Sequence, residues 1–336
     1  MDGEGQGRGW RHDARLTRPA FASPVDELQH PELELWRANV GAPVELDLAP
    51  PAPQDLTAFD VLSWNLAVGA ARLVELLERL DAGDFAAARD GPARPLIILA
   101  QEAYRADESV PQNGRVRFHG GALHPDQPRD IVEIARERRL SLRYAPSMRN
   151  GSHASDRGNA ILSTVALGMS HAFLLPYIRQ RRVVVAAEIA GHPGLALASV
   201  HLDVGGQHER RRIGRFGAGR TLQAEAVAKK LAHPADAHSL LIGADLNTVL
   251  GVRDPAMRAL ISAGLHPAAR AGRWRHTFHG PLRLPLDHVL FRSPDRRIRS
   301  VRVVRLDEQP GDRGKRVFGS DHHPLLARVE LGNGAP

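Results

Sequence analysis

Residues 239–247 read SLLIGADLN, an apolar run that breaks into Asp245 and Asn247. An apolar stretch of this length, bounded by turn-forming residues, reads as a buried β-strand with polar groups at its end. The pattern recurs. FDVLSW leads into Asn65, LIILAQ into Glu102 and LALASV into His201. Asp287 sits within LPLDHVLF, and Asp321 and His322 stand just before the run PLLARVEL. Strand ends that share one rim can converge on one pocket, and loops at such a rim commonly carry function.

Working outward, further strands are expected at LSLRYA (140–145), GNAILS (158–163), VALGMSHA (165–172), RRVVVAAEI (181–189) and IRSVRVVRL (298–306). Helical spacing appears in ARLVELLERL (71–80), through Leu73, Leu76, Leu77 and Leu80, and in RDIVEIARERRL (129–140), through Ile131, Ile134 and Ala135. TLQAEAVAKKL (221–231) is a third helix with Leu222, Ala226 and Leu231 inward, and Asp254 is an N-cap before Pro255 in DPAMRALISAG. Strands outnumber helices, and many follow one another directly, which argues against an all-parallel βαβ array. The expected fold class is α/β, with two mixed β-sheets packed face to face and flanked by helices.

Residues 1–55 are rich in Gly, Pro and charge and end in LAPPAPQD, so they read as an extension and linker. Residues 56–332 read as one folded domain. The extension carries no recognisable chemistry, and its removal is expected to leave catalysis largely unchanged. No apolar stretch is long enough to span a bilayer, and the N-terminus lacks an apolar signal region, so a cytoplasmic monomer is the default expectation. Cysteine is absent, which excludes disulfides, thiolate metal sites and cysteine nucleophiles. Net charge is +7, carried almost wholly by arginine; the lysines are Lys229, Lys230 and Lys315. Arginine pairs bidentately with phosphate. Abundant Ala, Arg, Gly and Pro also mark a GC-rich genome, which accounts for the larger share of this excess, so charge alone is weak support for nucleic-acid binding.

The polar residues at the strand ends form a hard-oxygen set with imidazoles and no sulfur. That set suits Mg²⁺ or Mn²⁺ better than Zn²⁺ or copper. Taken singly, each has a plainer role: Asn65, Asp245 and Asn247 as turn formers, Glu102 as a strand-end charge, His201 as a core-edge histidine. Their joint occurrence in this order is what points to chemistry.

The series SWNL (63–66), LAQE (99–102), DRGNAILS (156–163), ASVHLD (198–203), IGADLNT (242–248), PLDHVL (285–290) and GSDHHPL (319–325) resembles the endonuclease/exonuclease/phosphatase superfamily, in its order. GADLN and SDHHP are the most specific strings. The resemblance implies a four-layer α/β sandwich and a Mg²⁺- or Mn²⁺-dependent phosphoesterase. It implies that Asn65 and Glu102 hold the metal, with Asp321 assisting. Asp245 would orient or deprotonate the attacking water, Asn247 would bind phosphate, and His201 would contact the phosphate or leaving group. Asp287 and the pair Asp321–His322 would supply a carboxylate and an Asp–His dyad. Asn159 would support the pocket and lie at the substrate site.

Arg182, in the cluster 179–182, and Arg212, in HERRRIGRFGAGR (208–220), are expected to grip a polyanion; the plain alternative is a solvated charge run. Trp274 and Phe278 in GRWRHTFHG (272–280) can stack on a base or pack in the core. After Asn65 comes Leu-Ala-Val-Gly rather than the acidic-then-glycine pattern of exonuclease III, which weakens assignment to that DNA-repair branch. Nucleic acid is the first expected substrate. A small or lipid phosphoester is the alternative, and an inactive binding scaffold is a third reading that the intact set of residues disfavours. No G-x-S-x-G string, P-loop or HExxH helix is present.

Overall fold

Each apolar run becomes a strand because its side chains alternate between two buried faces. The computed structural model describes residues 11–12, 36, 38–89, 91, 93–114, 127–204, 217–232, 238–280, 282–308 and 317–332. The strands begin with β1 (Arg11–His12), β2 (Val44–Leu46), β3 (Ala58–Asn65), β4 (Leu96–Arg105), β5 (Ser141–Arg149) and β6 (Asp156–Ser163). They continue with β7 (Leu167–Leu174), β8 (Val183–Ile189), β9 (Leu195–His201), β10 (Ser239–Asp245), β11 (His266–Pro267) and β12 (Ala269–Arg270). The last are β13 (Phe278–His279), β14 (Arg283–Leu284), β15 (Asp287–Arg292), β16 (Ile298–Arg305) and β17 (Leu325–Leu331). One sheet is ordered β12-β16-β17-β3-β4-β6-β5-β2 and the other β1-β7-β8-β9-β10-β15-β11; β13 and β14 form a separate hairpin. Both large sheets mix parallel and antiparallel pairs.

The sheets pack face to face. Phe59, Val61, Ile97, Leu99 and Ile161 of one meet Val183, Val185, Leu197, Leu241 and Val289 of the other. Their outer faces are covered by helices. Leu62, Trp64 and Ile98 pack under α1 (Leu73–Asp81) and, with α2 (Ala86–Arg89) nearby, under α3 (Ile131–Glu137). Val184, Val200, Leu240 and Ile242 pack under α4 (Ala218–Leu231) and α5 (Pro255–Ser262). This is the expected sandwich. Asp130 caps α3 through the amides of Val132 and Glu133, and Asp254 caps α5 through Ala256, with Pro255 in the first turn. Among the described residues no helix is long and apolar enough to cross a membrane.

Two expectations need correction. The inward face of α4 is formed by Gly219, Arg220, Gln223, Ala224 and Val227, with the expected Ala226 and Leu231 partly buried against the core, while Leu222 is 44% exposed. Polar contacts turn the helix: Gln223 accepts from the Asp203 amide, and Arg220 lies 3.3 Å from the buried Asp254. The segment expected to be an extension and linker also contributes to the domain. Its β2 pairs with β5, and the Gly41 amide donates to Asp156 at 2.8 Å.

Asp156, the acid of the DRGN string, is a structural residue. Its carboxylate takes Arg105 Nε at 3.0 Å, Arg105 NH2 at 2.5 Å and the Tyr144 hydroxyl at 2.6 Å, all buried. Removing one partner of a buried ion pair strands the other charge, which costs about 3–5 kcal/mol. Asp156→Ala is therefore expected to lower unfolding free energy by about that amount in urea titrations. A loss within the ±0.5 kcal/mol of an ordinary surface substitution would refute this account of the cluster.

Candidate active site

Register places three of the expected residues side by side. Asp245 at the end of β10 stands opposite His201 of β9 on one flank and Asp287 of β15 on the other. The facing sheet brings Asn65 from the end of β3, and its Nδ2 donates to Asp245 Oδ2 at 2.9 Å. The turn before β17 brings His322. Its Nδ1 lies 2.8 Å from Asp287 Oδ2, and its Nε2 lies 3.8 Å from Asp245 Oδ2. Trp64 Nε1 donates to the His322 carbonyl, Ser320 Oγ donates to the Asn65 carbonyl and accepts from the His322 amide, and the Phe278 ring packs 5.0 Å from the imidazole.

Protonation states follow from these contacts. Burial alone would lower His322, but Asp287 and Asp245 overcome it and hold the ring well above its ordinary range. Burial pushes Asp245 up, against the pull of His322. His201 is held neutral by burial and by Arg182, whose NH1 lies 3.0 Å from His201 Nδ1. A guanidinium only donates, so Nδ1 carries the lone pair and Nε2 the proton. That Nε2 faces Asp245 Oδ2 at 3.4 Å.

Glu102 reaches the rim through an irregularity. The ladder between β4 and β6 slips between Ala100 and Ala103, and Glu102 adopts φ of +49°. Gln101 then points between the sheets, donating to the Leu99 and Gly243 carbonyls and to Ser199 Oγ. An extra residue in a strand re-aims the next side chain, a common device beside active sites. Among the described residues no donor hydrogen-bonds the half-buried Glu102 carboxylate.

Several expected roles change. The carboxylate on His322 is Asp287, not Asp321, because neighbours on extended chain point to opposite sides. Asp321 is half-buried, and its carbonyl accepts from the His279 amide. Asn159 is a brace rather than a substrate contact: its Nδ2 donates to the Val183 and Ser199 carbonyls of the opposite sheet. Asn247, at φ of +51°, donates through Nδ2 to the Leu202 carbonyl and lies 3.3 Å from His201 Nε2. Arg212 lies outside the described residues.

The sequence reading missed Arg157. It shares the inward face of β6 with Asn159, two residues nearer the rim, so it faces Arg182 and His201. Arg157 and Arg182 are 4% and 2% exposed, and the Nε of each lacks a partner. Among the described residues neither forms an ion pair. Its two-residue offset from Asn159 in DRGN was the available signal.

The profile of the Endonuclease/Exonuclease/phosphatase family matches residues 62–322. The chain belongs to the Endonuclease/Exonuclease/phosphatase family. A search of curated proteins finds no match. Solved structures share its fold. An endonuclease/exonuclease/phosphatase protein from Beutenbergia cavernae is 16% identical at TM-score 0.54, covering 83% of this chain and 73% of that one. The human Nocturnin catalytic domain, with bound sulfate, is 16% identical at TM-score 0.51, covering 86% and 98%. A family protein from Leptotrichia buccalis is 13% identical at TM-score 0.51, covering 82% and 100%. The family comprises phosphoester hydrolases, so the rim above is this Endonuclease/Exonuclease/phosphatase protein's candidate site.

Two sets in this family member's rim have donor atoms for a divalent ion. Ligand atoms of Asp245, Asp287 and His322 lie within 4.8 Å of one another. Asn65, at the end of β3, and Glu102, in β4, offer oxygens from the facing sheet.

His288, beside Asp287, adds a pH dependence. Burial, with the Arg270 charge, lowers it to about 4, and its Nε2 contacts Thr248 Oγ1 at 2.9 Å. The unfolded chain titrates near 6.5. Below that pH the unfolded state takes up a proton that the folded state refuses. Stability is unaffected above 6.5 and falls as pH drops toward 4, by up to about 3 kcal/mol. His288→Gln should flatten that fall when denaturation midpoints at pH 7 and 4.5 are compared. An unchanged difference would contradict the assignment.

Proposed function

We propose that this chain hydrolyses phosphodiester bonds with the help of Mg²⁺ or Mn²⁺, and that its substrate is nucleic acid. One observation carries the reading. Two nearly fully buried arginines that make no direct ion pair among the described residues, Arg157 and Arg182, stand beside an acid–base set of Asp245, His322 and Asp287, with Asp203, Glu102 and Asp245 acting on Arg182 only at longer range. An unpaired buried cation is costly, and a phosphate entering the rim supplies the missing anion.

Asp245, raised by burial and within reach of the pocket, accepts a proton from the attacking water. His322, kept cationic and oriented by Asp287, donates to the phosphorane oxygens as charge develops. The neutral His201 offers its Nε2 proton toward the leaving group. Asn247 keeps Asp245 in place: its backbone N–H donates to Asp245 Oδ1 at 3.0 Å. Glu102, whose carboxylate accepts no hydrogen bond among the described residues, is the residue assigned to the ion, with Asn65 and Asp321 assisting. Their oxygen-only donors suit a hard cation. When bound, such an ion neutralises phosphate charge and stabilises the leaving alkoxide.

Arg182→Ala is expected to lower kcat/KM about 10²- to 10³-fold, since it removes a donor aimed at the phosphate. Its melting temperature should stay nearly level, because the buried charge makes no direct ion pair whose loss would strand a carboxylate. Steady-state kinetics and thermal melts check both; full activity with lowered stability would make Arg182 structural.

A second reading has its own support. Leu250 and Val252, in the loop after Asn247, are 60% and 54% exposed, and Leu282, in the turn before β14, is 69% exposed. The first loop touches the connection between β14 and β15, where Thr248 Oγ1 donates to the Pro285 carbonyl at 3.4 Å. Exposed apolar residues beside a phosphoesterase rim suit a lipid phosphoester. Cleavage of phospholipid vesicles but not of DNA or RNA would favour that substrate and reject nucleic acid.

A further inference from the structure

The GRWRHTFHG stretch and the second histidine of SDHHP meet away from the acid–base set. His276, His279 and His323 offer ligand nitrogens within 4.8 Å of one another. Their ring centroids are 5.2, 5.6 and 4.2 Å apart. His323 turns away from His322 because the chain is extended there. We infer that His276, His279 and His323 form a second metal site, selective for Zn²⁺ or a similar borderline divalent ion, built separately from the phosphoesterase rim.

The tautomers carry the argument. His323 Nδ1 lies 2.8 Å from Asp307 Oδ1 and 3.1 Å from the Leu306 carbonyl. A carboxylate and a carbonyl are the acceptors, so Nδ1 holds the proton and Nε2 the lone pair. That lone pair points straight at His279 Nε2, with which it is in direct contact. His276 Nε2 faces Arg305 NH1 at 3.2 Å, and a guanidinium only donates, so His276 also presents a lone pair. A cation at this point gives these lone pairs one acceptor. Arg305 yields His276 Nε2 to the ion and keeps the His276 carbonyl at 3.1 Å and Asp307 Oδ2 at 2.9 Å.

The donor set decides the ion. Three imidazoles with an open fourth position suit tetrahedral Zn²⁺, Co²⁺ or Ni²⁺ and not Mg²⁺, which demands oxygen. Zn–N bonds of about 2.0–2.1 Å hold neighbouring nitrogens roughly 3.3 Å apart, so the His279–His323 contact opens slightly on binding. Asp307 behind His323 supplies the carboxylate–histidine–metal arrangement that fixes a ligand ring and balances charge. The site ties three segments together. The His323 amide donates to the Thr277 carbonyl and the His279 amide to the Asp321 carbonyl, both at 2.7 Å. Phe278, between two of the ligands, packs on His322. The second ion therefore clamps the strip that holds the catalytic imidazole.

The test uses full-length protein stripped with chelator and titrated with Co²⁺ in excess Mg²⁺. One equivalent should bind with the intense visible bands of tetrahedral Co²⁺, be displaced by Zn²⁺, and raise the melting temperature. His279→Ala and His276→Ala should each weaken binding more than roughly 100-fold, and Asp307→Ala roughly 10- to 100-fold. Glu102→Ala should leave it unchanged. His276 is only half-buried, so its variant stays informative if His279→Ala misfolds. Absence of tetrahedral bands and of a thermal shift in the wild-type protein overturns the site. So do bands that survive both histidine variants or vanish in Glu102→Ala.

Discussion

His322→Gln should lower kcat at least about 10³-fold while the protein stays folded, because it removes the one cationic donor set to meet developing phosphorane charge. The glutamine amide can still donate to Asp287, so the buried carboxylate keeps a partner and circular dichroism should be unchanged. His322→Ala should lose as much activity and also melt earlier, since Asp287 and Asp245 would face each other without the cation between them. The split between the two variants separates chemistry from support. If His322→Gln kept more than a tenth of wild-type kcat, the imidazole would be a structural residue, and Asp245 would act without it.

Glu102→Ala should be comparably severe, at about 10³-fold or more in kcat, with unchanged unfolding free energy. Its carboxylate makes no hydrogen bond among the described residues, so the fold has little to lose. Its carboxylate acts on the buried Arg182 only at long range, and a bound ion gives it a direct partner. The variant should also need far more Mg²⁺ for half-maximal activity. Normal Mg²⁺ dependence in a folded Glu102→Ala protein would move the ion to Asp245, Asp287 and His322, whose ligand atoms already converge.

Much of the site was legible because it sits at strand ends. GADLN and LASVH announce their strands by composition, and register then sets Asp245 beside His201. The pairing of His322 was not legible. Adjacency in the string SDHHP suggests Asp321, but extended backbone turns neighbours apart, and the partner arrives from β15, 35 residues away in sequence. Glu102 was found by its position after an apolar run, yet it lies within β4 and its aim depends on a slipped ladder that no alternation pattern reveals. Arg157 was hidden in DRGN, where attention fell on Asn159, which braces the two sheets. The face of α4 was misjudged because hydrophobicity favoured Leu222, whereas Gln223 and Arg220 face inward on buried polar partners. The edge strand β2 escaped notice because a three-residue strand in a proline-rich segment has too little periodicity to see.

The most direct test is hydrolysis by the purified full-length protein of single- and double-stranded DNA, RNA, an aryl phosphodiester and phospholipid vesicles, with Mg²⁺, Mn²⁺ or EDTA, beside Asp245→Asn as control. The expected result is cleavage of nucleic acid that EDTA abolishes and Asp245→Asn lowers at least about 10³-fold. Cleavage that persists in EDTA, or in folded Asp245→Asn at near wild-type rate, would contradict the assignment of this rim as a metal-assisted phosphoesterase site.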